Sequence, residues 1–381
     1  MTTRRTYLRT AAAVFVGGLA GCAGRGQDGA GASDGGADST PNEDRSRTAS
    51  RSRDDTGTAT TTADTPIPTA DRPLYVHYDR EMLRGNVLSG GPPKDGIPSI
   101  DEPQFQPADD ADLADGAPVF GLVRNGVVRA YPQYILVHHE IVNDVVGGEN
   151  VAVTYCPLTG TAQGFERGSV EFGVSGKLLN SNLVMYDRHG DSRWPQMLAT
   201  AISGPMAGAT LREFQLLWTT WGRWRRAHPD TAILTEDTGY VRRYGNDPYG
   251  EYNPPRGYYA NDRTLFAPLE RDDRASPKTV VIGARTEDGA IAFDKQALLD
   301  AAVQTGSIDD AAFVAVADPT LQTGYVYANP EGKPVESAGD GRYTVEGDTV
   351  AASNLPLDRV LAFDAMWFAW AGYYPETTYV E

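Results

Sequence analysis

Cysteine is nearly absent from this sequence, which contains only Cys22 and Cys156. Two cysteines cannot build the cysteine cage of a structural zinc site or the framework of a disulfide-rich secreted protein. A lipid on Cys22, argued for below, would also rule out an internal disulfide. The folded part must therefore depend on a hydrophobic core, and the roughly 310 residues after position 70 are enough to bury a large one.

Lysine is also scarce, since only five of the 34 basic residues are lysines, and the formal net charge is −17. An acidic surface of this kind stays soluble in concentrated salt, which screens the repulsion between its charges. The composition resembles that of proteins from halophilic archaea; an acidic protein from a non-halophilic organism is the alternative. Because a negative field repels phosphates, we predict no nucleic-acid partner.

The N-terminal apolar run is too short to span a bilayer, which takes ~20 residues. It covers residues 11–20, follows Arg4 and Arg5, and leads into Leu19-Ala20-Gly21-Cys22. This order is typical of a lipoprotein signal peptide over residues 1–21, after whose removal a lipid is attached to Cys22. The paired arginines favour the export route for folded proteins, with the general route as the alternative. We predict a protein anchored through Cys22 at the outer face of the cytoplasmic membrane.

Large apolar residues are almost missing from residues 22–70, which are rich in Ser, Thr, Gly and Asp. Such a segment buries too little apolar surface to offset the entropy of ordering the chain. We therefore predict a disordered tether between the lipid and the folded part. Folded sequence begins near Leu74.

Segments of the remaining sequence recur at constant offsets. Residues 119–123, followed by Asn125-Gly126, predict a hairpin, and a similar segment follows 162 residues later, at 281–285. At that offset Cys156 corresponds to Asp318. Trp221 and Trp224, one face of a helix that we assign to the core, recur as Trp367 and Trp370 at an offset of 146.

We therefore predict an α+β fold: a strand-rich, internally duplicated domain with two pseudo-equivalent halves. The first half spans residues 71–260 and carries the candidate site. A degenerate second half, residues 261–381, packs on the first. The pattern leaves open whether the halves form one barrel-like unit or two lobes.

The second half serves as an internal control, because matched positions that differ point to function. Cys156, His139 and Glu140 correspond to Asp318, Ala301 and Ala302. Cys156 ends an apolar strand before a turn, a position where scaffolds present reactive groups, although a lone thiol is often just a small buried hydrophobe. If the segment 138–144 is helical, His139 and Asn143 share a face. With the carboxylate of Glu140 beside it, the His139 imidazole suits a metal ligand or a base. The alternative is that His139 only packs near a helix end.

A third group of candidates follows in residues 175–188. Lys177 is one of the few lysines, but the phosphate-loop glycine is missing, because Phe172 occupies its position. Met185 is a soft ligand that suits copper, or else fills the core. Asp187 and Arg188 are candidate ligand-binding residues, or simply a local ion pair.

Several motifs follow one another along the chain: Ala130-Tyr131-Pro132, residues 139–144, Thr154-Tyr155-Cys156-Pro157-Leu158, Ser175-Gly176-Lys177-Leu178, Met185-Tyr186-Asp187-Arg188, Trp194-Pro195-Gln196 and residues 244–249. Together they closely resemble the uncharacterised domain-of-unknown-function family 3179. The resemblance covers roughly residues 74–381 and implies a mostly extracytoplasmic protein with no established activity. Many relatives resemble Cys-Pro-Leu-Cys where this chain has Thr159 as the fourth residue, so a two-thiol pair is excluded here.

Three hypotheses for function follow. In the first, Cys156, His139, Glu140 and Met185, with Asp187 as a further candidate, hold copper or zinc. In the second, a thiol-dependent transferase or hydrolase uses Cys156 as nucleophile and His139 as base. Glu140 or Asp144 then orients the base, and Lys177 or Arg188 stabilises an anion. In the third, the domain is a non-catalytic binding module of the cell surface, because residues 249–255 are rich in aromatic residues, Pro and Gly.

Overall fold

A computed structural model describes residues 66–381; the predicted signal peptide, Cys22 and nearly all of the tether lie outside this range. Within it, 41% of the residues lie in strands and 14% in helices, which confirms the strand-rich α+β class. No helix in this part of the chain is both long and apolar enough to cross a membrane.

The part of the chain up to residue 260 contributes helices α1–α3 and strands β1–β15. In chain order these are α1 (Arg80–Gly85), β1 (Leu88–Ser89), β2 (Phe105–Pro107), β3 (Pro118–Arg124), β4 (Val127–Pro132), α2 (Gln133–Leu136), β5 (Ile141–Val146), β6 (Glu149–Cys156), β7 (Thr161–Glu166), β8 (Phe172–Leu179), β9 (Asn182–Asp187), β10 (Arg193–Pro195), β11 (Glu213–Phe214), β12 (Leu217–Thr220), α3 (Trp221–Ala227), β13 (Ala232–Leu234), β14 (Gly250–Tyr252) and β15 (Pro255–Gly257). Short 3-10 helices cover Ala108–Asp110, Gln196–Leu198 and Tyr258–Ala260.

The part after residue 260 contributes helices α4 and α5 and strands β16–β26. They are β16 (Val280–Arg285), β17 (Ala290–Asp294), α4 (Lys295–Ala301), β18 (Val303–Ile308), β19 (Ala311–Asp318), β20 (Thr323–Ala328), β21 (Val335–Gly339), β22 (Arg342–Val345), β23 (Asp348–Ala351), β24 (Asp358–Val360), β25 (Ala362–Met366), α5 (Trp367–Tyr373) and β26 (Thr378–Val380), with a 3-10 helix at Ala352–Asn354.

Two sheets share one strand order and are built on the predicted hairpins. One sheet has the order β12-β3-β4-β13-β2, and the other has the order β25-β16-β17-β26. In the first sheet β13 runs parallel to β4, and in the second sheet β26 runs parallel to β17. Asn125 and Gly126 both have positive φ, as the tight turn between β3 and β4 requires. The hairpin predictions are therefore confirmed.

Two further sheets, β11-β7-β6-β5 and β18-β19-β20-β24, also resemble one another. Strands β5, β6 and β7 have the same lengths as β18, β19 and β20, and each begins 162 residues before its counterpart. The remaining sheets differ: β1-β8-β9-β10 belongs to the first part and β21-β22-β23 to the second.

A buried tryptophan packs against each hairpin. Trp224 of α3 and Trp370 of α5 are both fully buried, and each ring covers a glycine of the adjacent strand so closely that a Cβ atom would overlap it. The indole N–H groups donate to Thr231 and Thr377, each at 3.0 Å. The assignment of these helices to the core is confirmed.

The predicted helix over residues 138–144 is wrong. Helix α2 ends at Leu136, and strand β5 begins at Ile141 and pairs antiparallel with β6. The segment Ile141–Val146 contains four β-branched residues and buries all but one of its side chains, which favours a strand. Gly147 and Gly148, both with positive φ, form the turn from β5 to β6.

Candidate functional site

The turn before β5 and the end of β6 bring Glu140 and Cys156 together. The backbone N–H of Tyr155 donates to the Glu140 carbonyl oxygen at 2.7 Å, which places the two segments side by side. Glu140 has a φ of 58°, in the left-handed region that residues other than Gly, Asn and Asp seldom adopt. Two of the residues predicted for one site thus lie on neighbouring segments.

The thiol of Cys156 lies in a closed environment, with 1% of the residue exposed. Its Sγ is 3.7 Å from the carbonyl oxygen of Ser181, to which it donates weakly. Burial raises the pKa of Cys156 to about 11, the nearby Glu140 adds to the rise, and hydrogen bonds from Thr159 and Leu183 oppose it. The thiol is therefore neutral at physiological pH, whereas a reactive cysteine has a depressed pKa.

The carboxyl group of Glu140 is largely buried and accepts no hydrogen bond from the described residues. The residue is 7% exposed, and no hydrogen bond from the described residues contributes to its pKa. Burial alone raises the pKa of Glu140 to about 8. The group can thus hold or release a proton near neutral pH.

His139 is held away from this pair, which corrects both roles predicted for it. Its Nδ1 lies 2.8 Å from the carbonyl oxygen of Pro98, and its Nε2 lies 2.7 Å from the hydroxyl of Tyr244. Since a carbonyl only accepts, Nδ1 carries the proton and Nε2 accepts from the tyrosine. Burial lowers the pKa of His139 to about 4, so the ring is neutral. With both nitrogens engaged, it has no lone pair for a metal or for the thiol.

The predicted metal-ligand set is not assembled in this structure. Within residues 66–381 no three His, Cys, Asp or Glu side chains converge as a metal site would need. Met185 is fully buried and belongs to the same apolar cluster as Cys156, in keeping with its alternative role as core filler. Copper or zinc at this site stays a prediction from sequence.

The other predicted ligand-binding residues do not act on the thiol. Asp187 is fully buried and accepts hydrogen bonds from the backbone of Gly190 and Ser192 and from Trp194, so it stabilises a turn. Arg188 pairs with Asp101 and Glu171 at 2.7 and 2.6 Å and not with Asp187.

Neither Lys177 nor Arg188 is among the groups that shift the pKa of Cys156. The expected stabilisation of a thiolate by these two cations is therefore absent from the described residues.

A long segment that was not predicted to belong to the site covers Glu140 and Cys156. We call residues 238–269 the strap. Tyr258 of the strap donates to the carbonyl oxygen of Leu158 at 2.7 Å, and Asp247 accepts from Gln133 at 3.0 Å. Tyr244 binds His139 as described above. The density of tyrosine in residues 240–259 was the available signal, but it does not indicate which strands the segment covers.

Two strap tyrosines connect the pair with the surface. Tyr249 and Tyr258 line an open pocket of about 500 Å³ on the strap. Burial raises the pKa of both tyrosines, the nearby thiol adds to the rise, and Glu140 adds to that of Tyr249. Tyr249 and Tyr258 therefore lie between this open pocket and the buried pair.

The positions 162 residues after Glu140 and Cys156 have a similar backbone and different side chains. Ala302, which corresponds to Glu140, has a φ of 68°, and its carbonyl accepts from Ala317 at 2.9 Å. Asp318, at the position of Cys156, accepts from the backbone of Thr320 and Leu321 and caps a turn. The left-handed turn thus needs neither the carboxyl nor the thiol.

A family model described as "Protein of unknown function (DUF3179)" matches residues 94–377, which include Glu140, Cys156 and the strap. The chain belongs to this family. The resemblance drawn from the sequence motifs is thereby confirmed. No curated protein and no solved structure matches the chain.

Proposed function

We propose that the folded part carries an acid–base site in which Glu140 exchanges a proton with a small ligand beside the neutral Cys156 thiol. The ligand enters past Tyr249 and Tyr258 of the strap. The observation that carries the proposal is the Glu140 carboxyl, which is buried without a hydrogen-bond partner among the described residues in a turn where Ala302 suffices in the other half.

The fold does not require the Glu140 carboxyl, and burying it costs stability. A buried carboxyl that lacks a partner destabilises the fold, and Ala302 shows that the same backbone forms without one. Groups with strongly shifted pKa values cluster at functional sites. A pKa of about 8 lets Glu140 act as acid or as base near neutral pH.

The geometry favours this function over a thiol-dependent transferase or hydrolase. Such an enzyme needs a base that takes the proton of Cys156, and His139 has its free lone pair occupied by Tyr244. The raised pKa of the thiol points the same way. Cys156 then serves as a neutral, polarizable neighbour of the ligand.

We infer that the two halves are copies of one ancestral unit. Three observations support this: strands of equal length at a constant offset, two sheets of like order, and a tryptophan on a glycine in each half. The copies then diverged, and the acid–base site was kept or gained in the first half alone.

We also propose that the chain is an exported lipoprotein from a salt-loving organism, anchored by Cys22 through a flexible tether. The order of basic, apolar and small residues before Cys22 supports the anchor. In cell fractionation the wild type should sediment with membranes, and Cys22→Ser should appear in the soluble or secreted fraction. A wild-type protein that is soluble throughout would refute the anchor.

The titration of Glu140 tests the acid–base proposal. Between about pH 4.5 and pH 8 the unfolded chain releases this proton while the folded protein keeps it, so the folded state loses stability as the pH rises. Relative to Glu140→Gln, the free energy of unfolding of the wild type should fall by on the order of 4 kcal/mol across this range. Urea titrations in concentrated salt at several pH values measure this difference.

Two outcomes would contradict the proposal. Parallel stability curves for wild type and Glu140→Gln would mean that Glu140 titrates like an exposed carboxyl. In a Cys22→Ala background, where Cys156 is the single thiol, iodoacetamide should react slowly below pH 9. Fast alkylation with a midpoint well below pH 8.5, the value of a free cysteine, would instead support the thiol enzyme.

A further inference from the structure

We propose that a second cleft, independent of Glu140, binds small anions that have an apolar body. The cleft has a volume of about 560 Å³ and lies between the segment 84–94 and the sheet β1-β8-β9-β10. Val87, Val184 and Ile202 give it an apolar lining. The cleft shares no lining residue with the Glu140–Cys156 pair or with the strap.

The charge of the cleft is opposite to that of the chain. Four cations line it (Arg84, Lys94, Lys177 and Arg193), and no carboxylate does, although the chain has a net charge of −17. Two of the five lysines thus meet at one cleft. Clefts lined by one sign of charge concentrate ligands of the opposite sign.

Part of this positive charge is uncompensated. Asp191 pairs with Lys94 at 2.7 Å and with Arg193 at 3.0 Å. Within residues 66–381 no carboxylate pairs with Arg84 or Lys177 in the same way. One guanidinium nitrogen of Arg193, Nη1, is buried and has no hydrogen-bond partner among these residues. An anionic head group in the cleft would instead meet Arg84 and Lys177, whose charges no carboxylate of these residues neutralises.

A bulge in β8 shapes the cleft before any ligand arrives. The pairing of β8 with β9 shifts between Val174 and Lys177, so Ser175 and Gly176 are extra residues on β8. Gly176 has a φ of 69°, and a Cβ atom there would overlap the Pro92 carbonyl oxygen. Bulges re-aim side chains at binding sites, and this one sets the direction of the exposed Lys177.

The opposite wall is fixed to the same strand by backbone hydrogen bonds. Gly90 donates to the carbonyl oxygen of Gly176, and Asp95 donates to that of Val174, each at 2.9 Å. A preformed cleft needs little ordering on binding. Its combination of apolar lining and uncompensated cations fits an aryl or alkyl carboxylate, sulfonate or phosphate monoester.

The test compares a charged dye with its neutral analogue on the full chain carrying Cys22→Ala. The anionic probe is 8-anilinonaphthalene-1-sulfonate, and the neutral probe is N-phenyl-1-naphthylamine. The double variant Arg84→Gln/Lys177→Gln should bind the anionic dye at least tenfold more weakly, while its affinity for the neutral dye stays within twofold. Octanoate should displace the anionic dye from the wild type.

Lys333→Gln is the matched control, since Lys333 lies in the second half and pairs with Glu331 and Glu346. It should leave the affinity for both dyes unchanged. An equal loss of both dyes in the double variant would overturn the proposal, because the effect would then be structural. Equal weakening in Lys333→Gln would also overturn it, because the effect would then be general electrostatics.

Discussion

Replacing Trp370 with alanine should lower the free energy of unfolding by about 3–5 kcal/mol. Trp370 is fully buried, its ring covers Gly283, and its N–H donates to Thr377 at 3.0 Å. The glycine has no side chain to fill the space left by the ring, so a cavity remains and the hydroxyl loses its donor. Denaturant unfolding followed by circular dichroism in concentrated salt measures the change.

The matched variant is Trp224→Ala, in which the same contact is removed from the first half. Trp224 covers Gly121 and donates to Thr231, so its loss should have a similar effect. Val241→Ala serves as control, because Val241 is 98% exposed and its truncation should change little. A loss below about 1 kcal/mol for Trp370→Ala would show that the site collapses around the gap and that the ring is not a core anchor.

Arg285→Met should destabilise the protein by about 3–5 kcal/mol at neutral pH, because it leaves the Glu213 carboxylate buried without a cation, with the Gln163 amide as its remaining partner. The two side chains are 1% and 7% exposed, and their charged groups are 2.8 Å apart. Burial raises the pKa of Glu213, and Arg285 opposes that rise. Without Arg285 the carboxyl should titrate at higher pH, so the loss of stability should shrink as the solution is acidified.

A double variant separates the loss of a partner from the loss of packing. Arg285→Met/Glu213→Gln removes both charges, keeps the bulk and should recover most of the stability. Arg256→Met breaks the exposed pair with Glu251 and should cost less than about 1 kcal/mol. If the double variant were as unstable as Arg285→Met alone, packing would explain the effect and the ion pair would not.

Local patterns were sufficient to predict much of the fold. The Asn125-Gly126 turn and the Trp224 stripe depend on residues within one turn or one helix, and both were predicted correctly. The segment around residue 140 was not, because its strand assignment depends on a partner. Strand β5 pairs with β6, and the β-branched residues of Ile141–Val146 favour this strand over a continuation of helix α2.

The site was predicted in part, for a similar reason. Glu140 and Cys156 come together across one hairpin, at short separation along the chain. His139 precedes Glu140 directly, but the left-handed backbone at Glu140 turns the chain, and the imidazole instead meets Tyr244, more than 100 residues later. No periodicity reports a contact at that distance. The strap was missed because its partners lie on strands far away in the sequence.

The strap also determines how the pair can become accessible. It is fixed at both ends, by β13, which ends at Leu234, and by β16, which begins at Val280. A segment held at both ends stays close to its docking surface when it lifts, so reclosure is an intramolecular step with a modest entropic cost. We therefore expect Glu140 and Cys156 to become exposed by local opening of the strap, without global unfolding. We therefore expect amide hydrogen exchange to be faster in the strap than in β5 and β6. The rate at which the strap opens would then limit how often a ligand reaches the pair.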